Sequence, residues 1–141
     1  MTLSVLAQGR NKGWGDRMPL YTAITEESFI SEETKAEVAE AITRIHTEVM
    51  KVPRSFVRVV FLSYPEGSGF TAGNRASTAA LTCVLRSGHT VDEKTDMLKQ
   101  LWSMLQELTN IATDQLVISL QEIPSSNAME MGQIMQAVGK E

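Results

Sequence analysis

Twice along this chain a short apolar run, a long amphipathic stretch and a second short apolar run follow one another in the same order. The first set occupies residues 19 to 62. Leu20 to Thr25 is short and β-compatible, and the Glu26-Glu27-Ser28 cluster breaks its pattern. Ser31 is placed to cap a helix, and Glu32 and Glu33 suit the positive end of its dipole. Val38, Ile42, Ile45 and Val49 recur at helical spacing, so a helix is predicted from Glu32 to Lys51. Pro53 stops it, and the β-branched and aromatic run Phe56 to Leu62 reads as a buried strand.

The second set occupies residues 79 to 123. Ala79 to Leu85 is apolar, and Thr90 with Glu93 makes a capping box that opens a second helix. Met97, Leu101, Leu105 and Leu108 mark its buried face, Leu98 and Trp102 widen it, and it ends near Asn110. Leu116 to Ile123 forms a fourth strand, closed by Pro124.

Strand, helix, strand written twice predicts an α/β domain made of two βαβ units. Each unit gives a parallel strand pair with its crossover helix on the same face of the sheet. The expected architecture is a four-stranded, mainly parallel sheet with two helices on one face. Its other face lacks cover, which predicts an oligomer. Pro65 to Ser77, with Gly67, Gly69 and Gly73, is too polar for the core and reads as a long loop. Its Gly67-Ser68-Gly69 lacks the Gly-Lys-Ser/Thr ending of a phosphate-binding loop. The methionine-rich tail after Pro124, with Met129, Met131 and Met135, is predicted to form a short helix covering a neighbouring surface.

At 141 residues, 43% of them apolar and 21% charged, the chain has the balance of one globular domain. No apolar run is long enough to span a bilayer, so no membrane partner is expected. A net charge of −4 without a Lys/Arg stripe argues against a nucleic-acid partner. The single cysteine, Cys83, lies in an apolar stretch and reads as a buried thiol. Disulfides and cysteine-based metal sites are thereby excluded within one chain, which fits a reducing, cytoplasmic location; no metal is expected. Residues 1 to 18, with Gly9, Gly13, Gly15, Arg10, Lys12 and Arg17, read as a flexible leader ahead of a single domain over residues 19 to 141. Their apolar stretch, Leu3 to Ala7, is shorter than a signal-peptide core.

Several short motifs narrow the reading: Pro19-Leu20-Tyr21, Ala41-Ile42-Thr43 before His46, Arg86-Ser87-Gly88, Glu122-Ile123-Pro124 and Met129-Glu130-Met131-Gly132. With the Met18-Pro19 pair at the head of a duplicated βαβ unit, the chain resembles the tautomerase superfamily. Within it, the chain is similar to the cis-3-chloroacrylic acid dehalogenase group. The resemblance implies a homotrimer that uses no cofactor and acts on small carboxylates bearing an enol, ketone or alkene carbon. It also implies that Pro19 works as a free amine, because a secondary amine takes and returns a proton whereas a peptide nitrogen does not.

By the same resemblance Arg86 grips the substrate carboxylate, His46 helps hold the substrate, and Glu130 activates water. Tyr21, two residues from Pro19 in an alternating strand, faces the same side and either packs the sheet or donates a hydrogen bond. The chain departs from the group in three places. His89 stands where the pattern has a second arginine, and it is cationic only part of the time at neutral pH. Ser119 replaces the tyrosine that assists the glutamate, which puts hydration and dehalogenation most in doubt. Eighteen residues precede Pro19. Either they are absent from the mature chain and the protein is a tautomerase-like enzyme, or they remain and it is a non-catalytic trimeric relative that binds or interacts.

Overall fold

The computed structural model describes residues 18–135, so most of the leader lies outside the described residues. In chain order the elements are β1 (Leu20–Glu26), α1 (Glu32–Met50), β2 (Arg58–Tyr64), a hairpin of β3 (Phe70–Thr71) and β4 (Asn74–Arg75), β5 (Ala79–Arg86), α2 (Val91–Thr109), β6 (Leu116–Ile123) and a second hairpin of β7 (Met129–Glu130) and β8 (Gln133–Ile134).

Caps fix both long helices. The Ser31 hydroxyl accepts from the Thr34 amide, Thr90 and Glu93 close a reciprocal box, and Lys51 and Asn110 end the helices in left-handed conformation. Each helix has 19 residues, and their N-caps and C-caps keep one common offset along the chain, the structural trace of the duplication. Val38, Ile42 and Ile45 of α1 and Met97, Leu101 and Leu105 of α2 are buried against the sheet.

The sheet order is β2-β1-β5-β6. As each βαβ unit requires, β1 runs parallel to β2 from Leu20↔Arg58 and β5 runs parallel to β6 from Ala79↔Leu116. The halves join through β1 and β5, which are antiparallel with Thr22 opposite Thr82. Alternation then sorts the side chains. Tyr21, Ala23, Leu81, Cys83 and Leu85 face the helices and are buried, while Leu20, Ile24, Val60, Leu62 and Val117 point away and are exposed.

Three elements differ from expectation. The second strand starts two residues late, because Arg54–Phe56 first makes a 3-10 turn after Pro53. The glycine-rich connection contains the β3–β4 hairpin, turned by Ala72 and Gly73, both at positive φ. The expected tail helix is absent from the described residues. Pro124 leads into a 3-10 turn, Ser125–Asn127, and then into the β7–β8 hairpin, whose turn residues Met131 and Gly132 have φ of 56° and 76°. A two-residue left-handed turn ending in glycine favours a hairpin over a helix. The tail folds back on its own chain: the Met135 amide donates to the Ala128 carbonyl at 2.8 Å.

The β3–β4 hairpin closes one end of the sheet. Glu26, the last residue of β1, accepts from the Ser77 hydroxyl at 2.6 Å and the Gly67 amide at 3.0 Å, bonds that hold its carboxyl below the usual carboxylate range. The Tyr64 hydroxyl donates to the Thr78 carbonyl at 2.6 Å, immediately before β5 begins.

Candidate functional site

The opposite end of the sheet stays open. Pro19 precedes β1 with its side chain fully buried, and its carbonyl accepts from the Arg58 amide at 3.3 Å. Because β1 and β5 are antiparallel, the head of β1 meets the end of β5, where Arg86 lies buried. Arg86 pairs in register with Ile123, and the Ser87 amide donates to the Ile123 carbonyl at 2.8 Å. From Ile123 the chain turns through Pro124 and brings Glu130 back over the head of β1. The result is an open cleft of about 530 Å³ whose walls include Met18, Pro19, Arg58, Ile123, Asn127 and Glu130.

Glu130 is nearly buried, with its side chain 8% exposed, and its Oε2 accepts from Arg58 Nη1 at 2.5 Å. Arg58 was not among the sequence candidates. Its signal was slight: a single cation heading the apolar run Val59-Val60-Phe61-Leu62, in a strand otherwise read as buried.

Tyr21 and His46 form a second, buried group under the helices. The Tyr21 hydroxyl lies 2.7 Å from His46 Nδ1, and the rings meet edge to face at 5.5 Å. Burial, with the nearby Cys83, raises the Tyr21 phenol well above its ordinary range. Burial, assisted by the charge of His89, lowers His46 to about 3. The phenol therefore keeps its proton and the imidazole is neutral at pH 7. The phenol also donates to Met97 Sδ at 3.8 Å, so which group donates between Tyr21 and His46 follows the imidazole tautomer. His46 can thus meet an anion only through an N–H, without a positive charge. His89 sits 3.8 Å from Glu93 Oε1, one turn into α2. Burial also pushes the Cys83 thiol up to about 12, as expected of an inert core cysteine.

Of the six sequence candidates, Pro19 and Glu130 therefore share the cleft, and Arg86 ends the strand beside it. Tyr21 and His46 form the core pair, and His89 acts on that pair electrostatically. Ser119 pairs with Thr82 midway along β6, an edge strand of the sheet.

A duplicated βαβ unit with a proline at the head of its first strand, opening onto a cleft with a carboxylate and a guanidinium, defines a tautomerase-type protein. Residues 18–138 match a family described as putative oxalocrotonate tautomerase enzymes, so the chain belongs to that family. It falls in the group similar to cis-3-chloroacrylic acid dehalogenase. Among solved structures, native Ps01740 is 32% identical with a TM-score of 0.77, over 79% of this chain and 99% of that one. N1, a member of the cis-3-chloroacrylic acid dehalogenase family, is 29% identical with a TM-score of 0.78, over 86% of each chain. Native fused 4-OT, at 17% identity and a TM-score of 0.76 over 86% of this chain and 99% of that one, shares the fold. No curated protein matches the sequence.

Proposed function

We propose that this protein is a cofactor-free proton-transfer enzyme for small 2-oxo or unsaturated carboxylic acids, acting through the amine of Pro19 once the residues before it are removed. The observation that carries this reading is the position of Pro19, buried at the head of β1 and walling the same cleft as Glu130. Burial disfavours a protonated amine, which brings its basicity toward neutral pH. The amine accepts the hydroxyl proton of an enol and returns a proton to the adjacent carbon, giving the 2-oxo acid. Arg86 anchors the carboxylate by charge-assisted hydrogen bonds, with His89 and the N–H of neutral His46 as weaker aids and Tyr21 fixing the His46 ring. Hydration uses the protonated form of Pro19: Glu130 accepts a proton from water as the water oxygen adds to one unsaturated carbon, and the Pro19 ammonium protonates the other. Return of the proton from Glu130 to Pro19 restores both groups.

The family match beginning at Met18 supports a mature start at Pro19. The apolar outer face of the sheet supports a homotrimer, and the buried free thiol of Cys83 fits a reducing, cytoplasmic setting. The test is ketonisation of an enolised aromatic 2-oxo acid by protein whose mass shows that it begins at Pro19. We expect a rate well above buffer, lost when Met18 is retained, and a KM about tenfold higher in Arg86→Ala, the worth of a hydrogen bond to a charged group. A rate equal to buffer would sink the enzymatic reading and leave a trimeric binding relative.

A further inference from the structure

We infer that Arg58 is a positioning residue that sets Glu130 relative to Pro19, the part that the resemblance gives to a tyrosine replaced here by Ser119. The inference rests on Glu130 being the water-activating base of the proposed function. Glu130 sits on a two-residue strand held by a single hairpin partner, between Met129 and Met131, both largely exposed. A hairpin this short is only marginally ordered by its own ladder. Its glutamate is nevertheless nearly buried at the cleft, with the carboxylate 2.5 Å from Arg58 Nη1.

Arg58 stands on firmer ground. It heads a seven-residue strand paired along its whole length with β1, and its amide donates to the Pro19 carbonyl at 3.3 Å. One residue therefore touches both partners of the chemistry, the proline through its backbone and the glutamate through its side chain. The span between base and amine is fixed by the sheet rather than by the two-residue hairpin alone. An ionised carboxylate accepts several hydrogen bonds across its two oxygens, so engagement with Arg58 is compatible with holding a water. Ser119 stands on the edge strand β6 in register with Thr82, four residues before the Ile123 that walls the cleft, and its short hydroxyl does not span that distance.

The experiment uses protein beginning at Pro19, with but-2-ynoate as the hydration probe and an enolised aryl 2-oxo acid as the proton-transfer probe. Arg58→Met should lower kcat for hydration at least thirtyfold while KM stays within threefold, and should cut hydration at least tenfold more than ketonisation. Arg58→Lys should restore part of the loss. In a Glu130→Gln background, Arg58→Met should cost hydration little more, since both changes remove one unit. A raised KM with kcat intact, or losses that multiply in the double variant, would overturn the positioning role.

An equilibrium-unfolding cycle on the same variants needs no activity. The double variant's unfolding constant should depart at least fivefold from the product of the singles, and additivity overturns the inference. If the protein ketonises but does not hydrate, the assignment of Glu130 as base fails and this inference fails with it, while Pro19 as proton carrier stands. If it catalyses neither reaction, the proposed function fails by itself, and the cycle alone decides whether Arg58 fixes Glu130.

Discussion

His46 is a neutral imidazole locked against a protonated phenol, and that state has a measurable consequence. The folded-state value is about 3, against an ordinary value of 6.5. Below pH 6.5 the unfolded chain binds a proton that the folded chain refuses, so stability falls as pH drops from about 6.5 toward 3 and is unaffected above it. One group gives a slope of at most about 1.4 kcal/mol per pH unit. In urea unfolding at pH 7 and pH 4.5, His46→Gln should lose less stability between the two conditions than wild type. Equal losses would show that His46 is not buried in the neutral form. At this scale the sequence was partly legible. Pro19 and Glu130 stood inside motifs that could be recognised, whereas Arg58 finds its partner 72 positions later, a distance over which a lone strand-head cation announces nothing.

The long helices were readable because polar caps, acidic first turns and periodic apolar residues all agree on where they begin, end and bury. Both hairpins were not, because a strand of two residues has no period to detect. Their only mark is a two-residue turn ending in glycine, Ala72-Gly73 and Met131-Gly132, and the methionines around the second suggested a helix instead. Gly69 shows how tightly the first hairpin is fitted. A Cβ there would lie 2.4 Å from the Tyr64 hydroxyl and 2.5 Å from the Ala76 carbonyl, the latter being backbone that cannot swing away. Gly69→Ala should therefore destabilise the protein by about 2 kcal/mol, the usual scale of overpacking. Thermal unfolding would show this as a loss of several degrees, and an unchanged midpoint would mean that Gly69 lifts freely from Tyr64 and Ala76.

Across the molecule, the order of elements dictated the two parallel pairings. The antiparallel join of the halves is a tertiary choice that no local pattern encodes. The uncovered apolar face was foreseeable by counting layers, and it sets the assembly prediction. Leu62 and Val117 are 52% and 63% exposed on that face. Wild type should sediment as a trimer, and Leu62→Lys should shift it toward monomer at micromolar concentration, since a charge buried in such an interface is unpaired. A monomeric wild type would remove the trimer from the proposal.

The hairpin that plugs the sheet beside Thr78 has a bearing on how the duplicated halves have diverged. Each half brings one strand head, yet the head of β5 is sealed by Tyr64 and Ser77 while that of β1 faces a cavity. The second repeat, plugged at its own strand head, delivers Arg86 and the turn toward Glu130 to the end where β1 opens. The two halves thus repeat a plan without repeating its outcome, one strand head opening onto a cleft and its counterpart being closed.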